Sequence, residues 1–163
     1  MQQNTSNILP VQVNSFTFPP MPRPKKRRIR RKSNYTILRP EEKKKVLEED
    51  GLWGKETTKY TQKFLGTVVD CIVSNQLNNC KKYMPNMLAV SWEFENIARG
   101  GSVMIKALQK LVGAKIDGYA GKDTIKCLQK YLKKRGYYTG AIDGIAGYGT
   151  VIGWQKYINL KFA

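Results

Sequence analysis

The sequence predicts a mainly α chain in which two tandem small three-helix units, residues 46–99 and 100–163, follow an extended basic arm, residues 1–45. Three observations carry that expectation: cations concentrated at the start, an internal repeat built on Asp-Gly turns, and apolar residues at helical spacing beside each turn. The length of 163 residues allows one domain, or two small ones with a tail.

Residues 1–45 carry 12 Lys and Arg against 2 Glu, whereas residues 46–163 carry 17 against 10 acidic residues. Arg23, Lys25, Lys26, Arg27, Arg28, Arg30, Arg31 and Lys32 place eight cations in ten residues. Such a run repels itself and has no apolar face to bury, and Pro19, Pro20, Pro22 and Pro24 favour extended backbone. Its chemistry suits a polyanion bound through counterion release: nucleic acid, teichoic acid or an acidic protein groove. Only Phe16, Phe18 and Tyr35 lie near the cations, too few for base stacking or sequence-specific readout. The first 22 residues are polar and Pro-rich, unlike a secretory signal, and no segment reaches the ~18 apolar residues of a membrane span.

From Val46 onward the chain repeats itself. Segments from Asp50, Asp117 and Asp143 align without gaps as Asp-Gly-x-x-Gly-x-x-Thr, with Gln-Lys twelve and thirteen positions after the Asp. A fourth copy from Asp70 has Cys71 and Ser74 where the glycines would stand, and Gln109-Lys110 ends a similar stretch upstream of Asp117. The Asp carboxylate can accept backbone N–H bonds in a tight turn, and the Gly after it tolerates positive φ. The second Gly is expected to let the loop fold closely onto a neighbour. A helix then starts near Thr57, Thr124 or Thr150. Ile125, Leu128 and Leu132 give one buried stripe; Val103, Ala107, Leu108 and Leu111 give another, with Gly113 as its stop. Residues 68–73 are the only strand-like run, and the SWEFEN segment after Val90 reads as a link between units.

Composition removes much chemistry. With no histidine, imidazole zinc sites, Ser-His-Asp triads and Cys-His pairs are excluded. Cys71, Cys80 and Cys127 allow at most one bridge, Cys71 to Cys80. Glu93 and Glu95 are a close carboxylate pair, a weak basis for glycoside hydrolysis. The expectation is a chain that is not an enzyme and needs no cofactor or metal.

These motifs resemble the peptidoglycan-binding repeats of phage endolysins and bacterial cell-wall hydrolases. The resemblance is carried by the repeat, by LEEDGLWGKETTKYTQKFLGTVVDCIVSNQ from Leu47, and by SVMIKALQKLVGAKIDGYAGKDT from Ser102; it covers roughly residues 45–162. It implies small three-helix units that bind cell-wall glycan or stem peptide without catalysis. The family's aromatic before the second Gly stands here as Trp53 but is Ala120 and Ala146 in the later copies. The implied ligand contacts are Trp53, Tyr119 and Tyr148, as aromatic faces for a sugar, and Gln62, Gln129 and Gln155, as partners for acetamido or peptide groups. Core packing is the competing role for Trp53, as for Trp154, which aligns with Leu128; helix packing is the competing role for the glutamines.

The resemblance further implies a bacteriophage or tail-like particle component, carried in the virion or released at the cell wall. Its partners would be bacterial peptidoglycan and other virion or tail proteins, with the arm anchoring it to the particle or to a polyanion such as teichoic acid or nucleic acid. Two alternatives stand beside it: a wall-targeting subunit of a multi-chain endolysin, and a nucleic-acid-binding protein that uses the repeats as scaffold.

Overall fold

A computed structural model describes residues 46–163. The polyanion-binding residues expected in the arm, Arg23 to Lys32, lie outside the described residues. Within them the protein is mainly α: α1 (Lys55–Leu65), β1 (Val73–Leu77), 3-10 turns Asn78–Tyr83 and Ala89–Ser91, β2 (Trp92–Glu95), α2 (Val103–Val112), α3 (Lys122–Lys134) and α4 (Tyr148–Phe162).

The helices begin and end for local reasons. Gly54, Gly121 and Gly147 occupy the N-caps of α1, α3 and α4, with extended backbone at each. A Cβ at Gly54 would come within 3.0 Å of Leu88, so the loop does fold closely onto a neighbour there, whereas one at Gly121 or Gly147 would meet nothing within 4 Å. Glu56 and Asp123 stand in the first turns of α1 and α3 and Lys63, Lys133 and Lys134 in the last, complementing the helix dipoles. Gly66 and Gly113 end α1 and α2 in the left-handed conformation.

The first half departs from a three-helix unit. Residues 46–99 contain one α-helix, and the segment after Asp70, which would match the helix of the other copies, runs as β1. Val73, Ser74 and Asn75 are poor helix formers. The strand begins where the expected run ends, since Val68 and Val69 are exposed and only Val73 is buried. SWEFEN is not a link but β2, parallel to β1 with Val73 opposite Trp92 and Gln76 opposite Phe94. On α2 the buried stripe is Met104, Ile105 and Leu108; Val103, at the first helical position, is 67% exposed.

The two units expected from the sequence share one core. Trp53 from the first turn stacks on Trp154 from α4 at 6.3 Å between ring centroids, with planes 8° apart. Trp92 of β2 meets Trp53 edge-on at 5.9 Å. The same cluster takes in Ile105 and Leu108 from α2, Ile125, Leu128 and Leu132 from α3, and Val151 and Ile158 from α4. The Trp154 indole N–H donates to the Thr61 hydroxyl at 2.9 Å, so burial leaves this polar edge paired.

Candidate functional site

Each Asp turn is gripped by a buried glutamine from a helix, and each grip reaches beyond its own repeat. The Nε2 atoms of Gln62, Gln109, Gln129 and Gln155 donate to Asp70, Asp117, Asp143 and Asp50 at 2.7, 2.7, 2.8 and 2.7 Å. The glutamine Oε1 accepts the N–H that follows the Asp, from Cys71, Gly118, Gly144 and Gly51, at 2.8–2.9 Å. Nε2 also reaches the carbonyls of Ile72, Tyr119, Ile145 and Leu52 at 3.0–3.1 Å. In three turns the hydroxyl of Thr124, Thr150 or Thr57 accepts from the same nitrogen. Helices α1, α2 and α3 thus hold the turn that follows them, while α4 reaches back to the first turn and closes a ring.

The backbone after each Asp has positive φ: 70° at Gly51, 63° at Cys71, 83° at Gly118 and 80° at Gly144. The degenerate copy therefore keeps both its turn and its clamp despite losing the glycines. Gly118 has a second constraint, because a Cβ there would come within 2.9 Å of the Gly100 carbonyl. Gln76 grips the same turn from β1, donating to the Gly118 carbonyl and accepting from the Ala120 N–H, each at 2.8 Å. Its position in the degenerate copy gave no sequence signal for that role.

These bonds correct several expected ligand contacts. Gln62, Gln129 and Gln155 are at most 2% exposed, with both amide ends committed internally. They brace turns and have no amide to offer a ligand. Trp53 is 1% exposed and packs among tryptophans, so it belongs to the core. Tyr119 is half-buried and its hydroxyl accepts from the Gly100 N–H at 3.0 Å. Cys71, Cys80 and Cys127 are free thiols, without the one bridge that spacing allowed; burial pushes the Cys80 thiol pKa up.

Tyr148 is placed differently. It is 59% exposed at the start of α4 and lies against Gly51, where a Cβ would come within 2.6 Å of its ring atom Cε2. Around it opens a cleft of about 510 Å³, lined by Tyr137, Tyr138, Thr139, Asp143, Ile145, Ile152 and Lys156 among others. The Tyr138 hydroxyl donates to the Ala141 carbonyl at 2.7 Å, fixing that ring beside the Asp143 turn. The hydrogen bond from Gln129, followed by that from the Ile145 N–H, holds the Asp143 carboxyl below the usual range. The cleft thus joins aromatic faces, aliphatic side chains, a carboxylate kept ionised and one ammonium, a set suited to binding. No group of three His, Cys, Asp or Glu among the described residues is placed to hold a metal ion, and no helix there is long and apolar enough to cross a membrane.

Compared with known protein families, characterised proteins and solved structures, the chain matches none.

Proposed function

We propose that this chain is a non-catalytic cell-wall-binding protein and that the cleft beside the Asp143 turn takes peptidoglycan. Tyr148 carries the reading: its exposed ring, backed by Gly51, stands in an open cleft with Tyr138 nearby. An aromatic face suits the C–H face of a pyranose. Ile145 and Ile152 can take the methyl of an acetamido group or an alanine, and Lys156 can pair with a stem-peptide carboxylate. The repeat resemblance supports the same ligand, and with it a phage or tail-like particle component anchored by the basic arm.

The test is sedimentation of the full chain with purified Gram-positive sacculi at low salt and at ~0.5 M salt, where the Debye length is roughly 4 Å. Retention at high salt, weakened about tenfold by Tyr148→Ala, is the expected result. Loss of the wild type at high salt, or a Tyr148→Ala chain that sediments like the wild type, overturns the reading.

A further inference from the structure

A second groove lies where the C-terminal ends of α2 and α3 come together. Its volume is about 550 Å³, and Lys110, Lys130, Lys134 and Arg135 line it with Tyr131 and no carboxylate. None of these four cations belongs to an ion pair among the described residues, where the pairs are Lys59 with Glu56 and Arg99 with Glu95. The Arg135 guanidinium lies 3.4 Å from the centre of the Tyr131 ring, and its Nη1 donates to the Tyr131 carbonyl at 3.2 Å. The Tyr131 hydroxyl is in turn 2.7 Å from that of Tyr157 on α4. The guanidinium is therefore held in one place, with most of its five N–H donors unused.

Cations also gather at helix C-termini simply to offset the dipole. Two helix ends carry roughly −0.5 charge each, which answers about one of the four cations. Lys130 sits a full turn before the end of α3 and is surplus to that role. The net field in the groove stays strongly positive.

We infer that this groove binds an anionic polyol-phosphate chain, the chemistry of a teichoic acid, through its phosphates. The choice of polymer rests on the wall-binding reading; the groove itself does not. Nucleic acid fits less well, because Tyr131 is the one aromatic lining the groove and its ring is already stacked by Arg135, a poor platform for successive bases. A groove of this size also takes one flexible chain more readily than a duplex.

The experiment is amide NMR on the full chain, titrated with a synthetic glycerol-phosphate oligomer and, separately, with a DNA duplex and a DNA single strand of equal charge. The amides of Gly113 and residues 127–135 report the groove independently of the arm. Expected are saturable shifts there with the glycerol phosphate. In Lys130→Gln/Lys134→Gln, the slope of log affinity against log salt, read at those amides, should fall by about one per cation removed. Groove amides that stay silent while others shift, or that respond to either DNA at lower concentration, overturn the assignment. Peptidoglycan is absent from this titration, so failure here and failure of the Tyr148 cleft are separate results.

Discussion

Gln155 of the last helix holds Asp50 of the first turn, its Nε2 donating to the carboxylate at 2.7 Å across 105 residues of chain. Asn159, one helical turn on, accepts the Leu47 N–H at 2.8 Å and returns a bond to the Leu47 carbonyl at 2.9 Å. The beginning and end of the described chain are stapled together by side-chain amides, over the stack of Trp53 on Trp154.

Removing the first staple should be felt throughout. Gln155→Ala strands the Gly51 N–H and takes one donor from the Asp50 carboxylate, while the Leu52 carbonyl keeps the Thr57 hydroxyl, and the loss should be about 2 kcal/mol given ~1–3 kcal/mol for a buried group left unpaired. Urea unfolding followed by tryptophan fluorescence and by far-UV dichroism should show one coincident transition at a lower midpoint. Separate transitions for the two probes would mean the halves fold independently.

The degenerate turn offers a gain. Cys71 holds φ 63°, a conformation costing an L-residue ~1–2 kcal/mol that glycine adopts freely. After the extra unfolded-state entropy of glycine, Cys71→Gly should stabilise by about 0.5–1 kcal/mol. Gly118→Ala should do the reverse, by more than 2 kcal/mol, because positive φ and the Gly100 carbonyl both oppose the new methyl. Thermal midpoints of the two variants should move in opposite directions.

Tyr148 separates binding from folding. Tyr148→Phe keeps the ring and should retain most sacculus binding, while Tyr148→Ala should weaken it about tenfold, the ~1.4 kcal/mol expected of an aromatic contact. Binding isotherms on sacculi measure this, with unfolding midpoints of both variants as the check on integrity.

Two titrations bracket the stable range. Burial, then the bond to Tyr157, pushes the Tyr131 phenol up to about 12. A raised folded value means this contribution is full below the ordinary value near 10 and is lost as pH rises from there to about 12. Tyr131→Phe should flatten that alkaline decline in urea midpoints. At the acid end, the depressed Asp143 carboxyl contributes above its ordinary value of about 3.9, and the contribution is lost as pH falls through the lower folded value. Gln129→Ala should move the Asp143 NMR titration midpoint upward.

Sequence reading reached the turns but not the ring. Asp-Gly at fixed spacing from Gln-Lys marks equivalent residues, yet equivalence does not say which copies touch. Gln62 stands twelve residues after Asp50 and binds Asp70; Asp50 is held from the far end of the chain. Helix α3 was legible because Ile125, Leu128 and Leu132 share one face and all are buried. β2 was not, because the four residues of WEFE are too few to show alternation, and Trp92 owes its burial to Trp53. The glutamines were ambiguous for a sound reason: an amide that braces a turn and an amide that meets a ligand look alike until burial is known.

Ring closure also sets an order of events during synthesis. The chain leaves the ribosome from its first residues, so Trp53 and the Asp50 turn emerge about a hundred residues before Trp154 and Gln155. Through that interval the first turn lacks its Gln155 clamp and the Trp53 indole lacks Trp154, with only Trp92 emerging in between. Closure of the core is thus a late step, made when α4 docks against a turn translated about a hundred residues earlier.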